Sequence, residues 1–176
     1  MGDAAHFDPE AVQRVIENVR SVNPAATIVR ASSPITVEDP SVLAGRRVLA
    51  IEDGPTLTHG GASTGAAMLG ARAAGAAELV DPRPYLTGEL RDTFAEYPAL
   101  GRLLPAMGYG AEQIRDLEAT LRNAAEGGVE AIAVGTPIDL SAIVDIPLPH
   151  TRVRYELEVV GTPTLADVLR PIVSGS

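Results

Sequence analysis

A chain of 176 residues with 45% hydrophobic content is long enough to bury a core, and its two Phe, four Tyr and absent Trp leave that core to Ala, Val, Leu and Ile. The absence of cysteine excludes disulfides, thiol catalysis and cysteine metal sites, three scattered histidines argue against structural zinc, and all fourteen basic residues are arginine, which excludes a Schiff base, a lysine general base and a GxxxxGKS/T phosphate loop from this sequence. A net charge of −9 argues against nucleic acid and anionic membrane as partners. Without a membrane-length apolar run or a signal-like start, the expected location is the cytoplasm.

In chain order, Asp8-Pro9-Glu10 is a helix start, with Val12, Val15, Ile16 and Val19 as the apolar stripe and Asn23-Pro24 as the stop. Residues 27–31 read as a strand and 32–45, with Pro34 and Pro40, as a connection. Residues 47–51 have the continuous apolar character of a strand buried on both faces, and 62–75 turn to Ala, Met and Leu at helical spacing. A short strand is expected at 77–80, ending in the stiff turn Asp81-Pro82-Arg83-Pro84-Tyr85. A helix is expected at 87–97, a bend through 100–110, and a second helix at 111–125 stopped by Gly127-Gly128. Residues 129–134 read as a buried strand, 151–160 as an edge strand and 163–172 as a closing helix. Strands separated by helices at this spacing imply an α/β fold: an open, mostly parallel sheet with helices on both faces, Rossmann-like, in a single domain.

The chemistry is expected in the loop that follows residues 47–51, at the carboxyl end of a strand, where such sheets bind ligands. Glu52 and Asp53 are adjacent carboxylates suited to hold Mg²⁺ or to act as a base. Thr56 and Thr58 offer hydroxyls ahead of a helix amino terminus, Gly60 and Gly61 allow close backbone approach, and His59 is the one histidine in a glycine-rich loop. The plain alternative is that Thr56 and Thr58 cap turns and His59 is merely exposed. Asp81 and Arg83 sit in the proline-stiffened turn. Arg152 and Arg154 alternate onto one side of a strand about 7 Å apart, a spacing that suits a phosphorylated ligand, unless they pair with Glu156, Glu158 or other surface acids. The loops at 52–65, 81–85 and 135–139 are expected to converge on one crevice.

The runs EDGPTLTHGG, VDPRPY, LLPAMGYG, GTPIDLS and TRVRYELEVVGTPTLADVL, in this order, resemble the carboxyl-terminal half of cyclic 2,3-diphosphoglycerate synthetase, a family with many members described as GTPases. The resemblance extends from about Asn18 to Ile172. It implies phosphoryl transfer that closes a phosphoanhydride, with Mg²⁺ and ATP or GTP as cofactors. By the resemblance, Glu52, Asp53, Thr56, Thr58, His59, Gly60, Gly61, Asp81, Arg83, Arg152 and Arg154 contribute to the pocket of a small phosphorylated substrate. Thr136 and Asp139 resemble the TKxD loop that reads guanine, with Pro137 in place of the lysine; a capped turn is the alternative. Full-length members carry their nucleotide loop in a longer amino-terminal part. Residues 1–31 then read as the tail of that P-loop domain and 32–176 as the substrate domain. Two functions follow as expectations: the substrate half of a phosphoryl-transfer enzyme completed by a separate P-loop NTPase chain, or a module that binds an anionic metabolite or serves another reaction. A homo-oligomer is expected in either case.

Overall fold

The computed structural model describes residues 8–54, 64–106 and 108–174. By its contacts the chain gathers into two compact units: Ile35–Arg154, and the residues up to Pro34 together with those from Tyr155 onward. The last residues thus belong with the first.

The larger unit is α/β and Rossmann-like, built on a mixed sheet of mostly parallel strands. Its strands are β2 (Ile35–Val37), β3 (Arg47–Asp53), β4 (Glu78–Leu79), β5 (Leu103–Ala106), β6 (Ala131–Gly135) and β7 (His150–Tyr155). Across the sheet the order is β2, β7, β6, β3, and the far side of β3 is shared. There β4 pairs with Arg47 and Val48, and β5 with Ala50 to Asp53, both parallel. β6 runs parallel to β3 from Val48↔Ala131 to Glu52↔Gly135, and β7 runs parallel to β6. Every residue of β6, and β3 from Val48 to Glu52, is buried. This explains their unbroken apolar runs, since a strand covered on both faces has no solvent side to alternate with.

The helices are α2 (Ala66–Ala73), α3 (Glu89–Glu96) and α4 (Ala111–Glu126). The connection from β3 to β4 moves one way across the sheet, whereas that from β5 to β6 crosses back over β3. Parallel crossovers are right-handed, so opposite directions of travel place α2 and α4 on opposite faces. Gly70 of α2 admits Val153 and Val37, and Leu117, Leu121 and Ala124 of α4 are buried. β3 and β5 are thus neighbours whose outgoing chains leave for opposite faces. This is a topological switch point, and it lies between the ends of these two strands.

In the smaller unit, α1 (Pro9–Val22) starts on the Asp8 cap and stops at Asn23, as the sequence indicates. β1 (Ala31–Ser32) and β8 (Glu158–Val159) pair antiparallel, and α5 spans Leu165–Ser174.

Several boundaries differ from expectation. β3 runs on through Glu52 and Asp53, because β5 and β6 offer partners along its whole length. The segment expected as a bend contains β5, whose Pro105 conceals it in the sequence, and the connection before β3 contains β2. Residues 27–30 have no regular structure, the strand being Ala31–Ser32. The expected edge strand at 151–160 is two strands, and β7 is flanked on both sides.

Candidate functional site

The carboxyl ends of β3, β5 and β6 lie side by side at the switch point, with Asp53 opposite Ala106 and Glu52 opposite Gly135. Because Glu52 and Asp53 lie within a strand, their side chains leave on opposite faces. Glu52 turns toward α2 and Asp53 toward the face that carries α4. The adjacent pair read from the sequence as a common Mg²⁺ site therefore does not converge on one point. Among the described residues, no group of three or more His, Asp or Glu is placed to hold a metal ion.

Glu52 is buried, with 6% of its surface exposed, at the amino terminus of α2. Its Oε1 accepts the Ala67 N–H at 2.5 Å, and the Met68 N–H also contributes. The carboxylate lies between two glycines. A Cβ on Gly65 would overlap Oε1, and one on Gly135 would stand 2.8 Å from Oε2 and 3.0 Å from the Ala67 nitrogen. Burial pushes the Glu52 carboxyl up to about 7, outweighing the backbone donors that favour its charged form; the neighbouring Asp53 charge adds to the rise. The sequence suggests this helix start as a place for a ligand anion. In the structure, the protein's own carboxyl fills it, and a group so held does not fit a cation ligand.

On the other face, the half-buried Asp53 is close enough to Tyr109 for its charge to act with burial in raising the phenol above its ordinary range. Tyr109 leads into α4 through the Gly110 cap. It was not singled out as a site residue from sequence, although it lies in the LLPAMGYG run. What could have marked it is the combination of a hidden strand at 103–106 with a helix start at 111, which makes the intervening segment leave the sheet beside the end of β3.

Thr136 and Asp139 follow β6. Thr136 is buried and its hydroxyl donates to the Ile138 carbonyl at 2.9 Å. Asp139 accepts from the Ser141 hydroxyl at 2.7 Å and from its N–H, capping the turn Leu140–Ala142. The Ser141 hydroxyl chiefly holds the Asp139 carboxyl below its ordinary range, and the charges of Arg152 and His150 add to this. Both side chains thus close their own loop, as in the capped-turn alternative.

Arg152 and Arg154 do share a face of β7, but their heads go to different partners. Arg152 Nη2 donates to the Pro137 carbonyl at 3.1 Å, and its buried Nε has no hydrogen-bond partner among the described residues. Arg154 is ion-paired with Glu38. Asp81 and Arg83 are bound to each other at 2.7 Å, and Arg83 lies over the Phe94 ring. Their turn leaves β4 beside Val48, short of the carboxyl edge, and ends with Tyr85 Oη donating to the Gly127 carbonyl, next to Arg47 at the start of β3. Of the three segments expected to converge, the 135–139 turn leaves β6 beside the end of β3, the 81–85 turn does not reach that edge, and most of the 52–65 loop lies outside the described residues. β4 pairs only with the first two residues of β3, which stops it below the carboxyl edge. Thr56, Thr58, His59, Gly60 and Gly61 lie outside the described residues.

No helix among the described residues is long and apolar enough to cross a membrane. No protein-family model matches the chain, and no solved structure does. Among curated proteins, the arginine synthetase ArcE of Thermococcus kodakarensis is 48% identical over 167 residues, covering 95% of this chain and 36% of that protein. The chain thus spans about a third of the length of this relative. That name is not the cyclic 2,3-diphosphoglycerate synthetase that the motifs resemble, and the match lends the narrower identification no support; both are synthetases by name.

Proposed function

We propose that the chain is the substrate-handling part of a nucleotide-dependent synthetase, and that its crevice takes a guanidino amino acid. One observation carries the reading: at the switch point a buried carboxyl, Glu52, has its proton affinity near neutrality, while Asp53 and Tyr109 flank it on the other face. A reaction that joins a nitrogen to an activated carbon needs a group that takes a proton from that nitrogen near neutral pH, and a carboxyl tuned to about 7 matches this need. Oε1 of Glu52 is held by α2, which leaves Oε2, beside Gly135, to carry the proton.

The name of the Thermococcus relative supports arginine as the substrate or product. The balance of charge supports it too. The carboxyl ends of β3 and β6 carry Asp53 and the turn-capping Asp139, while Arg83 and Arg154 are held in ion pairs. A guanidinium fits carboxylates better than a bisphosphate does. Phosphoryl transfer, ATP or GTP, and Mg²⁺ are part of the same proposal and follow from the resemblance to a phosphoanhydride-forming family. Asp53 fits as a single carboxylate toward Mg²⁺, which commonly takes one or two carboxylates and completes its shell with phosphates and water. When bound, the ion would neutralise charge on the phosphates; the phosphate cradle itself has to come from the part of the synthetase that this lysine-free chain does not span.

A second reading, a small phosphorylated substrate as in cyclic 2,3-diphosphoglycerate synthetase, is favoured by the buried Arg152 Nε, which has no hydrogen-bond partner among the described residues. Titration calorimetry with L-arginine and with 2,3-diphosphoglycerate separates the two. The first reading expects arginine to bind and Asp53→Asn to weaken it by roughly 1.5 to 3 kcal/mol, the range for hydrogen bonds to charged groups. Binding of the bisphosphate alone, lost in Arg152→Ala, would replace the first reading with the second.

A further inference from the structure

Both described helices of the smaller unit present apolar surface. Neither α1 nor α5 contains a buried residue, yet both carry apolar stripes at helical spacing: Val12, Val15, Ile16 and Val19 on one, and Leu165, Val168, Leu169 and Ile172 on the other. Val15 is 61% exposed and Ile172 69%. The pair β1 and β8 is a two-stranded ribbon, which in water is marginal unless further strands or a packed layer support it. Between α1 and this ribbon runs a groove of about 360 Å³, lined by Val12, Val15, Ile16, Ile28, Val29 and Val160. Among the described residues, Arg30 and Ser32 are its only polar lining, so the described groove lacks the convergent polar groups by which small-molecule pockets orient a ligand.

We propose that this groove and the α1 stripe are the docking surface for the part of the synthetase that the chain does not span. That this part carries the nucleotide rests on the proposed function; the docking itself does not. The occupant follows from the extent of the match. The relative is matched over 167 of the 176 residues here, so at most nine lie outside the match, and most of the smaller unit belongs to a segment shared with a protein of which 36% is covered. An apolar face within that segment has the greater part of the longer protein available to cover it. An exposed patch of this character marks a contact surface.

The test is hydroxyl-radical footprinting of this chain and of the full-length Thermococcus synthetase, read at Val12, Val15, Ile16 and Val160 and at their aligned positions. The expected result is ready oxidation in this chain and at least a tenfold reduction in the full-length protein. Equal oxidation in both overturns the proposal. Val15→Asp provides a second readout. It should leave the melting temperature of this chain unchanged, because the site is exposed, and the aligned substitution should lower that of the full-length protein by several degrees; no change there overturns docking at this face. Sedimentation completes the test. A concentration-dependent dimer of this chain that protects the same four residues would assign the face to a second copy instead. None of these readouts involves turnover or substrate, so failure to bind arginine would remove the proposed function without touching this result.

Discussion

The sheet unit and the smaller unit use similar apolar residues to opposite ends. In the sheet unit, Leu49, Ile51, Leu103, Leu104, Leu121 and Ile132 have essentially no exposed surface, whereas Val15, Leu169, Ile172 and Val173 in the smaller unit are more than half exposed. Composition does not separate these cases. What separates them is the number of layers. A strand between two helical faces buries every residue, whereas α1, beside a two-stranded ribbon, contains no buried residue.

The largest test of that contrast is truncation. Leu49→Ala or Ile132→Ala should destabilise the sheet unit by about 2 to 5 kcal/mol in urea unfolding, while Val15→Ala or Ile172→Ala in the isolated chain should stay within about 0.5 kcal/mol. A costly Val15→Ala would mean that the smaller unit already has a core.

The second test concerns the one buried carboxyl among the core strands. The Glu52 carboxyl is higher in the folded protein, about 7, than its ordinary 4.5, so between these pH values the folded state binds more protons than the unfolded. Its contribution is fully present below about pH 4.5 and is lost as pH rises through 7, a fall on the order of 3 kcal/mol. Stability measured from pH 4.5 to 8 should show this decline in the wild type and not in Glu52→Gln. A pH-independent difference between the two would assign Glu52 an unshifted carboxyl.

Smaller effects come from the glycines that flank it and from the surface. Gly135→Ala should cost about 1 to 3 kcal/mol by overpacking against Glu52 and Ala67, measured by the same unfolding curves. Arg154→Ala, which removes an exposed pair with Glu38, should cost less than about 1 kcal/mol and should weaken with salt. If Arg154→Ala instead abolishes ligand binding, the arginine leaves its ion pair to reach a ligand.

The long apolar strands, the capped α1 and the helical spacing of the apolar residues in α4 were legible in the sequence because each depends on local pattern. β5 and β2 were not, since four residues with a proline and three residues after a proline carry no period that sets them apart from a bend. The site was legible as a place more than as a geometry. The carboxyl end of β3 could be located, but the opposed directions of Glu52 and Asp53 depend on β3 continuing two residues further, which only its neighbours decide. The retreat of Asp81 and Arg83 from the carboxyl edge depends on the register of β4 against Arg47 and Val48, a property of pairing and not of the turn. Tyr109 went unremarked because its relevance comes from proximity to Asp53, more than fifty positions away.

The glutamate wedged between Gly65 and Gly135 also constrains how this protein can change. Three positions share one small volume, so neither glycine can gain a side chain while the glutamate stays in place. A lineage that shortens Glu52 frees both glycines to acquire side chains, and once either has done so the glutamate cannot return without a clash. Substitution at this spot is a one-way step, and relatives that keep the glutamate should keep both glycines with it.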